Sequence, residues 1–202
     1  MPKLSPAQIE VRKRRVEDAA LVRFQTRGFH GTGLREIAEE AGVSLGAIYT
    51  YYPSKEALFD ALLERLHAAF AAQDSPLADY FAQCRFPHDL EALGQAIGRT
   101  VEAHRDYLTL IYVDMVEFQG RHVRPYYQAL RASFSAALGE RARAALPGGQ
   151  DPVTAFLTVY MQFFNFFIVE RMIGARRHLG LSEGQALTAI AALFTHGLGE
   201  AP

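Results

Sequence analysis

Residues 33–52 read GLREIAEEAGVSLGAIYTYY, and the spacing of their apolar side chains predicts two short helices joined by a tight turn. Leu34, Ile37, Ala38 and Ala41 recur at helical spacing on one face, with Arg35, Glu36, Glu39 and Glu40 on the other. Gly42 follows, where a helix can end in a left-handed residue that is free of steric cost only for glycine. Val43 fills the inside of the corner, and Ser44 is placed to cap a second helix through its side-chain oxygen. Ile48 turns that helix back onto the first, with Ala38 and Gly42 keeping the crossing small. The pattern is a helix-turn-helix, whose second helix is short enough to lie in a DNA major groove.

Upstream, residues 6–27 read as a helix with Ile9, Val16, Ala19, Ala20, Val22 and Phe24 as apolar positions and Gly28 as its stop. The helix carries a basic run, Arg12, Lys13, Arg14 and Arg15. Alone, such a run is a solvated face; beside a helix-turn-helix it becomes a phosphate contact. Phe29 packs as the chain turns, and Thr32 or Gly33 caps the next helix, with Glu36 in the first turn where the dipole favours acid. Downstream, Pro53 stops the second helix of the motif. Ser54 caps a further helix running through Ala57, Leu58, Leu62, Leu63 and Leu66 to about residue 72. Lys55 lies in its first turn, where a cation gains nothing from the dipole, so an external anion such as a DNA phosphate is the expected partner.

The chain has 202 residues, half of them apolar, and a formal charge of −1. A sizeable core is available, in one large domain or two small ones. Near-balanced charge means that any nucleic-acid surface must be local. Cys84 is the single cysteine, which excludes an internal disulfide framework and a multi-thiolate zinc site. The amino terminus lacks the apolar core of a signal peptide. The longest apolar run, residues 153–169, is interrupted by Thr154, Thr158, Gln162 and Asn165 and is slightly short for a bilayer. A cytoplasmic protein without a membrane partner is expected. The histidines lack metal-ligand spacing, and neither a glycine-rich phosphate loop nor a nucleophile elbow occurs. No metal, cofactor or enzymatic activity is therefore expected.

The ordered set Ala19-Ala20, Phe24, Gly28-Phe29, Arg35-Glu36-Ile37-Ala38, Ala41-Gly42-Val43-Ser44, Ile48-Tyr49, Tyr52 and Pro53-Ser54-Lys55-Glu56 with Leu58 resembles the DNA-binding domain of the tetracycline-repressor (TetR) regulators. The resemblance covers about a quarter of the chain. It implies that Arg35, Leu45, Gly46, Ala47 and Thr50 face bases, and that Thr32, Ser44, Tyr49, Tyr51 and Lys55 contact the DNA backbone. The chemistry fits: an arginine fork matches guanine O6 and N7, alanine and leucine can meet a thymine methyl, and tyrosine and lysine can bond phosphate oxygens. Two positions depart from the family pattern. Leu45 stands where a polar residue is common, and Gly33 where threonine or serine is usual. Tyr52 reads as a packing residue.

Beyond residue 73, helical patterns at residues 89–104, 105–119, 123–146, 152–173 and 183–196 are separated by Gly120, Pro147-Gly148-Gly149 and Gly180, while Ser75-Pro76 and Phe86-Pro87 mark a linker. No strand pattern of useful length occurs. The expected fold is all-α: a three-helix helix-turn-helix domain at 1–53, a connecting helix at 54–72, and a helical ligand-binding and dimerisation domain at 73–202. Residues 152–173 are apolar around nearly the whole helix, and residues 183–196 are rich in alanine. Together they suggest a four-helix dimer interface involving Phe156, Tyr160, Phe163, Phe167, Ala189 and Ala192. A pocket for a small hydrophobic or aromatic effector is expected among Tyr112, Met115, Phe118, Tyr126, Tyr127, Tyr160, Phe164 and Asn165. Asp114, Glu117 and His122 could receive a basic group on such a ligand.

These observations suggest a homodimeric repressor that binds double-stranded DNA at an inverted repeat and is released by the effector. The alternative is an all-α ligand-binding or enzymatic protein in which the helix-turn-helix is only architectural. An activator acting through a protein partner is a third reading.

Overall fold

A computed structural model describes residues 5–71, 76–83, 86–143, 146 and 149–199. Among them the regular elements are all helical: α1 Pro6–Arg27, α2 Leu34–Ala41, α3 Leu45–Tyr51, α4 Lys55–Phe70, α5 Pro76–Gln83, α6 Leu90–Ala103, α7 Arg105–Glu117, α8 Arg124–Leu138, α9 Pro152–Phe167 and α10 Glu183–Gly199. A short 3₁₀ turn, Gly139–Arg143, follows α8, and a π-helical turn, Ile168–Ile173, continues α9. Cys84, Ser75 and Pro147-Gly148 lie outside the described residues.

The chain forms two compact units, each built from two stretches of the sequence. The first comprises Met1–Ala69 and Asp106–Arg124, the second Phe70–Arg105 and Pro125–Pro202. The sequence places a linear boundary near residue 73; the structure instead assigns α7 to the first unit. Its core is built from Val16, Ala20 and Phe24 of α1, Ile37 of α2, Ile48 of α3, and Leu58, Phe59 and Leu62 of α4, all fully buried.

Local chemistry accounts for the helix limits. Ser5 accepts from Gln8 N–H while the Gln8 side chain accepts from Ser5 N–H, and Pro6 opens α1 where a missing donor is harmless. α1 stops at Gly28. The linker expected at Ser75-Pro76 contains a helix, because Pro76 opens α5 rather than breaking it, and Leu77 and Tyr80 are buried.

In the second unit α6 lies against α9. A Cβ on Gly94 would come within 2.8 Å of Leu187 Cδ2, and one on Gly98 within 2.6 Å of Phe167 Cζ. These two glycines set the close helix approach. Gly98→Val is expected to lower stability by about 1–3 kcal/mol through overpacking, read as a drop in the urea midpoint with an unchanged slope.

The expectation for α9 needs correction. It is not apolar all round: Val153, Phe156, Val159, Tyr160, Phe163, Phe166 and Phe167 are buried within the unit, whereas Thr154, Thr158, Met161, Gln162 and Asn165 are exposed. Phe156, Tyr160, Phe163 and Phe167 therefore belong to the chain's own core and cannot also form a contact with a second copy. Ala189 is exposed and Ala192 half-buried on α10, beside Leu193 at 75% exposure. With its π-helical continuation, α9 reaches 22 residues, long and apolar enough by composition to cross a membrane, contrary to the shorter run read from sequence. Half of its most apolar window is buried in the protein, as in a core helix.

Candidate nucleic-acid interface

The helix-turn-helix forms as its residues dictate. Gly42 adopts φ +64°, and its N–H reaches back to Ala38 and Glu39 carbonyls. Val43 N–H bonds the Ala38 carbonyl at 3.0 Å, closing the left-handed cap. Ser44 Oγ then accepts from Ala47 N–H at 3.2 Å and starts α3. Ile48 buries the inner face of α3, and Tyr52 leaves the helix with its hydroxyl donating to Glu17 Oε1 at 2.6 Å. Burial, with that bond, pushes the Tyr52 phenol up. Tyr52 is the packing residue expected.

The outer face of α3 presents Gly46, Tyr49 and Thr50, with Leu45, Ala47 and Tyr51 half-exposed. Tyr49 is 52% exposed. Arg35 projects from the first turn of α2, exposed, and among the described residues no hydrogen bond or ion pair holds it. Two neighbouring arginines are engaged: Arg23 with Glu40 at 2.7 Å and Arg27 with Glu36 at 2.9 Å, pinning α1 to α2. Glu36 also takes Gly33 N–H at 2.9 Å, which holds its carboxyl below the usual value. On α1, Arg12, Arg14 and Arg15 are exposed, and the Arg15 guanidinium lies close to Gly42 in the turn.

Two expected backbone contacts are corrected. Thr32 is 2% exposed, and its hydroxyl donates to the Gly28 carbonyl at 2.8 Å, so it closes the α1–α2 turn and does not cap α2. Lys55 Nζ donates to the Phe29 and Thr32 carbonyls at 2.6 and 2.7 Å and stands 4.2 Å from the Phe29 ring centroid. Burial lowers its pKa, with Glu117 opposing. The cation that lacked a dipole partner has found two carbonyls of the protein.

Sequence reasoning missed the fastening of α7 to the head. Glu117 accepts from Phe29 N–H at 2.8 Å and His30 N–H at 2.6 Å, with His30 Nδ1 at 2.5 Å. Asp114, fully buried, accepts from Val123 N–H at 3.2 Å and bonds His122 Nδ1 at 2.5 Å. His122 Nε2 lies 2.9 Å from Asp60 on α4, and Arg121 pairs with Glu56. Asp114, Glu117 and His122 are thus structural groups rather than ligand contacts. Phe118 completes a ring cluster with Phe29 at 4.6 Å and Phe59 at 5.1 Å.

Burial works against the Glu117 carboxylate, but its N–H donors outweigh it and hold the pKa below the ordinary 4.5. Glu170 is held down in the same way by Arg177 and His178. Each group contributes stability above the unfolded pKa, and that contribution disappears as pH falls through the lower folded value. The stabilisation from these two carboxylates is expected to be constant on the alkaline side of 4.5 and to be lost below it. Glu117→Gln should start lower and show a shallower acid slope in thermal scans.

The residues expected to line an effector pocket divide between the two units. Tyr112, Met115 and Phe118 fall in the first unit and Tyr126, Tyr127, Tyr160, Phe164 and Asn165 in the second. Phe118 is committed to the ring cluster, Tyr160 packs on Phe134 at 4.7 Å, and Asn165 points to solvent. An open groove of about 540 Å³ in the second unit is lined by Gln150, Asp151, Thr154, Ala155, Thr158, Leu193 and Phe194.

A tight three-helix head with a solvent-facing second helix defines the helix-turn-helix class of DNA-binding regulators. Residues 18–62 match the family described as bacterial regulatory proteins, tetR family. Over this head the chain is similar to the tetR-family transcriptional regulators. It is 37% identical over 99 residues to the HTH-type transcriptional regulator RutR of Escherichia coli (strain K12), which is 49% of this chain but 44% of RutR's length. It is 23% identical over 192 residues to the HTH-type transcriptional regulator YvkB of Bacillus subtilis (strain 168), covering 92% of this chain and 96% of YvkB. The fold extends to a TetR-like regulator from Rhodococcus sp. RHA1 at a TM-score of 0.62, 23% identity and coverage of 98% and 100%. Salmonella enterica GusR gives 0.65, 20%, 98% and 99%.

Proposed function

We propose that this regulator acts as a homodimeric repressor that binds an inverted-repeat operator and is released by a small apolar effector. The observation that carries the DNA-binding part is the exposed face of α3, together with the exposed Arg35 in the first turn of α2. An architectural motif would have no need to present an arginine with no protein partner among the described residues and a half-exposed tyrosine on one face. The exposed arginines of α1 add positive charge able to meet phosphates.

The dimer is proposed on the outer face of α9 and α10, through Leu157, Met161, Ala189, Ala192 and Leu193. This replaces the buried phenylalanines. Leu193, with Ala155 and Phe194, lines the groove that a second copy would cover, and a two-fold contact is self-complementary. The aromatic cluster of Phe134, Phe156, Tyr160 and Phe164 is closed and apolar, so an effector that entered the second unit by parting it would itself be apolar. Release requires a coupling of about 1–3 kcal/mol between the two sites.

Sedimentation of wild type and Leu193→Glu, together with a band-shift assay on DNA upstream of the coding sequence, tests the proposal. The wild type should sediment as a dimer and shift one specific fragment. Leu193→Glu should sediment as a monomer and lose most of that shift. A monomeric wild type, or a shift equal on every fragment, would refute it.

A further inference from the structure

Resting on the DNA-binding reading above, the composition and hydrogen bonding of α3 point to the kind of operator that this head reads. Residues 44–52, SLGAIYTYY, contain no arginine, lysine, histidine, asparagine, glutamine, aspartate or glutamate. Those are the side chains that read purines and cytosine by paired hydrogen bonds in the major groove. The hydroxyls that remain are partly occupied. Ser44 Oγ accepts from Ala47 N–H, and the Thr50 hydroxyl donates to the Gly46 carbonyl at 3.0 Å. Nothing lies within 4 Å of a Cβ built on Gly46, so the groove-facing surface of α3 is open there. Leu45 and Ala47, both half-exposed, present apolar surface on that same helix. A fork-shaped donor is available on the first helix of the motif, as the exposed Arg35 of α2.

We propose that each head reads thymine C5-methyl groups through Leu45 and Ala47 and a single guanine through Arg35, with the tyrosines held to the phosphates. Burying one methyl contributes about a fourfold change in affinity. A bidentate arginine–guanine pair contributes roughly 5- to 150-fold. The half-site is therefore thymine-rich around one obligatory guanine, and its recognition depends on methyl groups that carry no hydrogen bond.

The wild-type chain is used to select duplexes from a random pool, and the recovered half-site is resynthesised with deoxyuridine for single thymidines and 7-deazaguanine for the guanine. Deoxyuridine at a contacted thymidine should weaken wild-type binding by about fourfold. Leu45→Ala should abolish that penalty at one position and keep it at the others. 7-Deazaguanine should weaken wild type and leave Arg35→Ala unaffected. A selected duplex that binds equally well with thymidine or deoxyuridine throughout overturns the methyl reading while the regulator assignment stands. An Arg35→Ala chain that loses affinity evenly for all duplexes marks a phosphate contact and overturns the guanine reading. Failure to select any duplex overturns both this inference and the DNA-binding proposal.

Discussion

Phe59→Ala is expected to destabilise the chain by about 3–5 kcal/mol, the largest effect of any single truncation proposed. The side chain is fully buried. Its ring centroid lies 5.4 Å from Phe24, 5.5 Å from Phe29, 5.1 Å from Phe118 and 5.6 Å from His122. These partners come from α1, the α1–α2 turn and the segment after α7, so one cavity would loosen four ring contacts in three segments together. Truncation removes the transfer term and leaves a void that helices fixed by Glu117, Asp114 and Lys55 cannot close easily. Urea unfolding followed by circular dichroism measures the cost. Phe59→Leu should recover more than half of the loss, and a Phe59→Ala deficit below about 1 kcal/mol would show that the site collapses.

Arg35→Ala is expected to have the second-largest consequence, and its effect falls on binding rather than on folding. Specific affinity should drop by roughly 5- to 150-fold, the range for losing a bidentate base contact. Stability should change by no more than about 0.5 kcal/mol, because an exposed side chain with no protein partner among the described residues leaves nothing behind. The contrast with Arg27 is informative. Arg27 binds Glu36, so its truncation should loosen the start of α2 and affect stability and binding together. Isothermal titration beside a thermal melt separates the two cases.

The head was legible because its determinants are local. Gly42, Ser44, Pro53 and Ser54 act within four residues of the positions they control, and the structure places the turn and caps where those residues imply. Tyr52 as a packing residue was legible for the same reason of period. Thr32 and Lys55 were not, since each has two chemically reasonable partners. Only the folded turn shows that the carbonyls of Phe29, Gly28 and Thr32 take their donors. The role of Glu117 was hidden by distance along the chain: its partners Phe29 and His30 are 88 and 87 residues away.

α9 shows a different failure. Counting apolar residues around a helix treats Met161 and Phe163 alike, yet one is 41% exposed and the other fully buried. Thr154, Thr158, Gln162 and Asn165, read from sequence as interruptions, form a polar stripe at helical spacing along the outer face. The same spacing placed Phe156, Tyr160, Phe163 and Phe167 inward. The exposed Leu193 and Met161 had no signal stronger than their spacing.

Fluorescence anisotropy of a labelled inverted-repeat duplex, titrated with the chain at about 50 and 200 mM salt, tests the central proposal most directly. The account predicts saturation at two chains per duplex, affinity falling steeply with salt, and an Arg35→Ala curve displaced at both salt concentrations while scrambled DNA shows no difference between the proteins. One chain per duplex, or identical wild-type and Arg35→Ala curves on the inverted repeat, would contradict it.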